Sequence, residues 1–189
     1  PISFACEKGL IDIVKLLLND KNEDDENDPF ALLSLNKDQK KKVKRGSLCG
    51  AKSECDLTIK SKGAHQKGMT ALHYACKSSN IEVVKLILNH GGFDINARAN
   101  GKSCLFLACK HNRIDIVRLL LQQNDINYNI KTPRGVTPLM IAAQEGRKEI
   151  VEMLLKQRRI DKNALTANGQ SAKSMAKNTA ITELFEKYA

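Results

Sequence analysis

The chain has 189 residues, with 31 Lys or Arg against 21 Asp or Glu and a formal charge of +10. Only 4% of residues are aromatic and none is Trp, so aliphatic side chains and Ala must do the packing. Its apolar runs are a few residues long, far short of the roughly 20 that a membrane-crossing helix needs, and none has the form of a signal-peptide core.

Residues 1–18 carry a first helix pair, broken at Gly9 and ending in Leu16, Leu17 and Leu18. Residues 19–67 change character. They open acidic, with Glu23, Asp24, Asp25, Glu26 and Asp28, pass a short apolar island at Phe30–Leu35, and turn basic at Lys40, Lys41, Lys42, Lys44 and Arg45. A degenerate helix pair starting at Pro29 would place charges where a core is needed after Leu35. The segment is therefore expected to be an insertion, largely flexible.

From Gly68 the pattern is regular. Ala142 has counterparts at Ala108 and Ala75, steps of 34 and 33 residues, and again at Ala5 and Ala176. Acids recur at Asp12, Glu82, Asp115 and Glu149, each followed by an apolar pair such as Val83-Val84 or Ile150-Val151. In the clearest unit, Thr137 caps a helix, Pro138 takes its first position, and Gly146 lets the backbone turn left-handed before a second helix. Ser79 and Asn112 hold the Gly146 position in other units; Asn tolerates that turn better than Ser. One such hairpin cannot bury its apolar face alone, so a period in this range with two helices per unit predicts a solenoid. Asp94-Ile95-Asn96 and Asp125-Ile126-Asn127 follow the second helices as turn signals. The last unit, 169–189, keeps Met175, Ala176, Leu184, Phe185 and Tyr188 for packing and is otherwise polar, as a terminal cap must be.

Thr70–Ala75 reads T-A-L-H-Y-A and Thr137–Leu139 reads T-P-L. With the spacing and helix breaks, these resemble the signature of the ankyrin repeat family. The resemblance implies an all-α repeat protein: an ankyrin solenoid of stacked helix-turn-helix units with β-hairpin fingers, interrupted by one insertion. The units would be a first repeat at 1–18 lacking its N-terminal part, the segment 19–67, three regular repeats over 68–168, and a capping repeat at 169–189. Because Pro1 stands where the signature's Thr should precede it, further repeats are expected upstream. In proteins similar to this one the concave side, built from finger tips and exposed inner-helix positions, binds other proteins. The matching positions here include Lys67, Met69, Lys77, Asn100, Lys102, Lys110, His111, Arg134, Val136 and Glu145.

Catalytic signals are absent from the sequence as a pattern: there is no phosphate-binding loop, dinucleotide fingerprint or H-E-x-x-H. The family resemblance gives His73 a turn-fixing role with Thr70. Cys6, Cys76 and Cys109 fall at the Ala143 position and read as small buried hydrophobes. Cys49 and Cys55, even with His65, match no common zinc spacing, so neither metal nor cofactor is expected. Reduced thiols suit an intracellular protein.

The expected function is protein recognition, as a scaffold or adaptor whose concave face takes an acidic segment, with Met69 and Val136 as apolar anchors. Between Gly68 and Asn168 only Glu145 and Glu152 are acids without an expected structural duty. Two alternatives stand beside this reading. One is a regulatory module of a larger enzyme or channel. The other is a nuclear, nucleic-acid-associated protein using the basic run at 40–45, although no aromatic residue interleaves those charges for base stacking. The run also resembles a nuclear import signal, and Ser47 beside it resembles a phosphorylation site that would lower the local positive charge. The location expected is cytoplasmic, or nuclear if the run serves in import. Replacing Lys41, Lys42 and Lys44 with Ala is then expected to abolish nuclear accumulation of a reporter fused to the chain, read by microscopy.

Overall fold

A computed structural model describes residues 68–188 except Gly92, together with Cys6, Lys8, Ile11, Asp12 and Val14. The basic run Lys40–Arg45, Ser47, Cys49, Cys55, His65 and Lys67 lie outside the described residues, as does the segment 19–67. Upstream, Cys6 and Val14 sit on helical backbone and are fully buried.

Each regular repeat begins with a hydroxyl cap and a short helix. These inner helices are α1 (Ala71–Lys77), α3 (Cys104–Lys110) and α5 (Pro138–Gln144). Thr137 Oγ1 accepts from the Met140 N–H at 3.3 Å, and Ser103 Oγ accepts from Phe106 N–H at 3.2 Å. Pro138 occupies the first turn of α5, where its missing N–H costs no hydrogen bond. In all three helices every residue but the last is buried. Such short helices would not persist alone in water; packing on all sides holds them. α3 lies between α1 and α5, and at Ala75, Ala108 and Ala142 side-chain exposure is 0%.

The outer helices are α2 (Ile81–His90), α4 (Ile114–Leu121) and α6 (Lys148–Leu155), each packed on its own inner helix and on the next outer one. Their apolar pairs Val83-Val84, Ile116-Val117 and Ile150-Val151 are all buried. Fully burying one such side chain is worth about 1.5–3 kcal/mol, which is why the pairs recur.

The link between inner and outer helix differs among repeats. Gly146 has φ +76° and Asn112 has φ +57°. After Gly146 the Arg147 N–H donates to the Ala142 carbonyl at 2.9 Å, and after Asn112 the Arg113 N–H donates to Ala108 O at 2.9 Å. Both close the helix end in the left-handed manner. Ser79 does not follow them. The chain leaves α1 through Ser78 in an extended conformation, Ser78 Oγ donates to Ala75 O at 2.8 Å, and Asn80 then caps α2 through Glu82 N–H and Val83 N–H. A residue with a Cβ and no amide acceptor takes the unstrained route.

The fingers are tight turns sealed by isolated bridges; among the described residues no longer strand forms. Ala99 and Lys102 exchange both backbone hydrogen bonds at 2.9 Å around Asn100-Gly101, which both have positive φ, as an Asn-Gly hairpin turn requires. Successive fingers are stapled by amides. Asn96 Nδ2 donates to Asp125 O at 2.7 Å while its Oδ1 accepts from Asn127 N–H at 2.8 Å, and Asn129 makes the same pair with Arg159 O and Asp161 N–H. At Gly135 an added Cβ would lie 2.9 Å from the backbone nitrogen of Ala167, so the finger tips also touch directly.

The final unit departs from the others. Its second helix, α7 (Thr179–Lys187), packs on α6 and buries Ile181, Leu184 and Phe185. Its first helix is reduced to a hydrogen-bonded turn over 172–175, with Met175 N–H bonded to Ser171 O at 3.1 Å. Lys173 and Lys177 stand where α1, α3 and α5 carry apolar residues.

Ala142→Leu is expected to overpack the contact between α3 and α5 and to destabilise the array by about 1–3 kcal/mol. A chemical denaturation midpoint equal to that of the parent would contradict the close contact described.

Candidate concave binding surface

The surface opposite the outer helices is built from finger tips and the C-terminal ends of the inner helices. Two groups of the sequence-predicted residues assemble there. Asn100, Lys102 and Arg134 belong to the fingers: Lys102 closes the first, and the Arg134 carbonyl accepts from Ala167 N–H of the third at 3.0 Å. Lys77, Lys110, His111 and Glu145 gather at the helix ends, Lys77 and Lys110 as last residues of α1 and α3, His111 and Glu145 as the residues directly after α3 and α5.

Met69 does not belong to this surface. It is 8% exposed and part of the core, just before the cap of α1, so its side chain serves stability and offers no anchor to a ligand. Val136 is half-buried and packed against the core. Ala99, beside Asn100 in the first finger, is 3% exposed.

Acids and cations are paired unevenly. The ion pairs among the described residues lie on outer helices and the last unit: Lys85–Glu82 at 2.9 Å, Arg118 with Asp115 and Glu149, Lys156–Glu152 at 3.2 Å and Lys173–Glu186 at 3.3 Å. Glu152 is therefore not available to a ligand on the concave side. It also accepts from the Tyr188 hydroxyl at 3.1 Å, and these bonds to Lys156 and Tyr188 hold its carboxyl below the usual range. On the inner side Lys77, Lys102, Lys110, Arg113 and Arg134 make no ion pair among the described residues. Arg113 was not singled out by the sequence pattern. Its Nε donates to the Lys77 carbonyl at 3.3 Å across the repeat boundary, a contact only the three-dimensional stacking reveals. Arg147, one repeat on, has its Nε buried without a partner among the described residues.

His73 is fully buried and structural. Its Nδ1 accepts from the Thr70 N–H at 3.2 Å and lies 2.8 Å from Thr70 Oγ1. Nε2 therefore carries the proton and points at the carbonyls of Ala97 and Lys102, at 3.1 and 3.2 Å, pinning the first finger to α1. The described cysteines are buried free thiols. Burial pushes Cys6 up to about 12, and burial, followed by a hydrogen bond that the Cys104 thiol gives to Cys76, raises Cys104, so both of these two thiols stay protonated and unreactive. A cleft of about 500 Å³ opens between the far ends of α4 and α6, beside Tyr128, Lys156 and Arg159. Positive charge there complements the helix carbonyl ends, and the cleft's lining shares no residue with the inner surface.

The imidazole of His111 is held below its ordinary pKa, first by partial burial and then by Lys110, Arg113 and Lys77, with Glu145 acting in the opposite sense. A histidine whose folded-state pKa is depressed binds fewer protons than in the unfolded chain. Its contribution is thus intact above the unfolded value and is lost as pH falls towards the folded one. His111→Asn is expected to make stability less pH-dependent between about pH 7 and 5. Parallel urea titrations across that range check this; an unchanged slope of stability against pH would contradict it.

No helix among the described residues is long and apolar enough to cross a membrane. The family model for ankyrin repeats (three copies) matches residues 2–132 and 98–166. One relative, the SMC5-SMC6 complex localization factor protein 1 of Homo sapiens, is 38% identical over 63 residues. That match covers 32% of this chain and 6% of the relative, so the chain spans a small part of that protein's length. Ankyrin repeats are in general protein–protein interaction modules and typically not catalytic. On the family match, the helix pairs and the stacked fingers, the chain belongs to the ankyrin repeat family.

Proposed function

We propose that the chain is a scaffold or adaptor module whose concave face receives an acidic segment of a partner protein. The observation that carries this is the pairing pattern: the acids of the outer helices are held by Lys or Arg, while Lys77, Lys102, Lys110, Arg113 and Arg134 on the inner side make no ion pair among the described residues. A low-acid, cation-rich groove steers negatively charged partners and speeds their encounter. Asn100, His111 and Glu145 add hydrogen-bonding capacity beside those cations. Val136 supplies the half-buried apolar contact that Met69 does not. The relative's name, a localization factor of a complex, favours an adaptor over a catalytic role. The site of action is the cytoplasm, with the basic run at 40–45 as a route to the nucleus.

The first experiment is affinity capture with the 189-residue chain, alongside a Lys102→Glu, Lys110→Glu double variant, followed by mass spectrometry. Proteins lost from the variant are expected to carry acidic segments. Association of such a partner, followed by stopped-flow, should slow in the double variant and in high salt, because exposed pairs are screened beyond a Debye length of about 8 Å. The thermal midpoint should stay near that of the parent. Equal association rates would place the partner elsewhere, and preferential capture of DNA or RNA with a steep salt slope would replace a protein partner by nucleic acid.

A further inference from the structure

Where the first three inner helices meet, three cations crowd one imidazole. Lys77 ends α1, Lys110 ends α3, His111 follows α3 directly, and Arg113 opens α4. The bond from Arg113 Nε to the Lys77 carbonyl ties the two repeats together at this point. Backbone geometry fixes His111 in turn: its N–H donates to Leu107 O at 3.0 Å, and the next residue, Asn112, makes the left-handed turn. From the following repeat comes Glu145, whose N–H is bonded to Ile141 O at 2.9 Å. Lys110, Arg113, Lys77 and Glu145 are the charged groups that act on His111. Three positive charges thus face one negative charge, and none of the three cations is engaged in an ion pair among the described residues.

A carboxylate set against Lys77 and Lys110 would relieve their mutual repulsion. It would also offer the imidazolium of His111 a charged acceptor, which the neutral imidazole gains far less from. A ligand that favours the protonated form of a group must, by reciprocity, bind better when that group is protonated. We infer that the junction of Lys77, Lys110, His111 and Arg113 is a carboxylate subsite for the acidic segment, and that filling it takes up a proton on His111, so that binding strengthens as pH falls. Glu145 has a definite part in this. It offsets part of the junction's positive charge at His111 when the subsite is empty. The inference rests on the concave-face reading above, which it refines to one position and one proton.

The test uses the full chain and a fluorescein-labelled oligoglutamate peptide, whose carboxyls stay ionised at about pH 6 and above. Fluorescence anisotropy at about pH 6 and 7.5 gives affinities, and calorimetry in two buffers of different protonation enthalpy counts protons. The parent is expected to bind several-fold more tightly at the lower pH with net proton uptake, and His111→Asn to lose both effects. Circular dichroism melting shows that each variant is folded. Equal pH dependence in His111→Asn, or no proton uptake, overturns the subsite. If Lys102→Glu weakens binding while Lys110→Glu and His111→Asn do not, the subsite falls and the concave-face reading stands. If none of these substitutions matters, or the peptide fails to bind at low salt, both fall.

Discussion

Everything in this molecule depends on how closely neighbouring inner helices approach. At Ala75, Ala108 and Ala142, and at Cys76, Cys109 and Ala143 beside them, the side chains are small and wholly buried. Larger groups there would push the helices apart, and the loss would spread. Outer helices would no longer pack on one another, and the fingers would lose the spacing that their amide staples require. Dispersion between closely packed atoms is weak per contact and large in sum, so a column of small residues can organise a whole array.

That same close approach governs the charge pattern. Bringing inner helices together carries their last residues together as well, so Lys77 and Lys110, 33 positions apart, act on the same imidazole. The outer helices carry acids in their first turns, where they complement the helix dipole and find Lys or Arg within a turn or one repeat away. The acids of the outer helices are thus neutralised where they stand, while the inner helix ends keep Lys and Arg without an ion pair among the described residues. Exposed pairs of this kind contribute little to stability, so the outer acids matter more for where they are than for what they hold together.

Most of the fold was legible in the chain itself because it is written several times over. The Ala column, the Val83-Val84 class of pairs and the hydroxyl cap at Thr70, Ser103 and Thr137 each follow from helix geometry, and each recurs. What could not be read was set by contacts between repeats. Met69 precedes a cap and looks like a surface residue by its place in the pattern, yet it faces the neighbouring packing and is buried. Glu152 seems unoccupied until Tyr188, 36 residues on, arrives beside it. Ile181 escaped notice because the terminal unit dilutes its periodicity with polar residues. Of the site, the cations at single positions were visible. The Arg113–Lys77 link that makes them a cluster was not, since a side chain bonded to a backbone carbonyl leaves no trace in the identity of its partner.

The amide staples between fingers share that indifference to the partner's identity. Across the seam the carboxamides of Asn96 and Asn129 bond to main-chain atoms of Asp125, Asn127, Arg159 and Asp161. Each repeat therefore carries a complete adhesive that will join any neighbour whose backbone follows the same turn. An array joined this way can gain or lose whole units by duplication or deletion in the gene without re-matching the seam. Its length is free to drift over generations while its pitch stays fixed by the reach of one carboxamide.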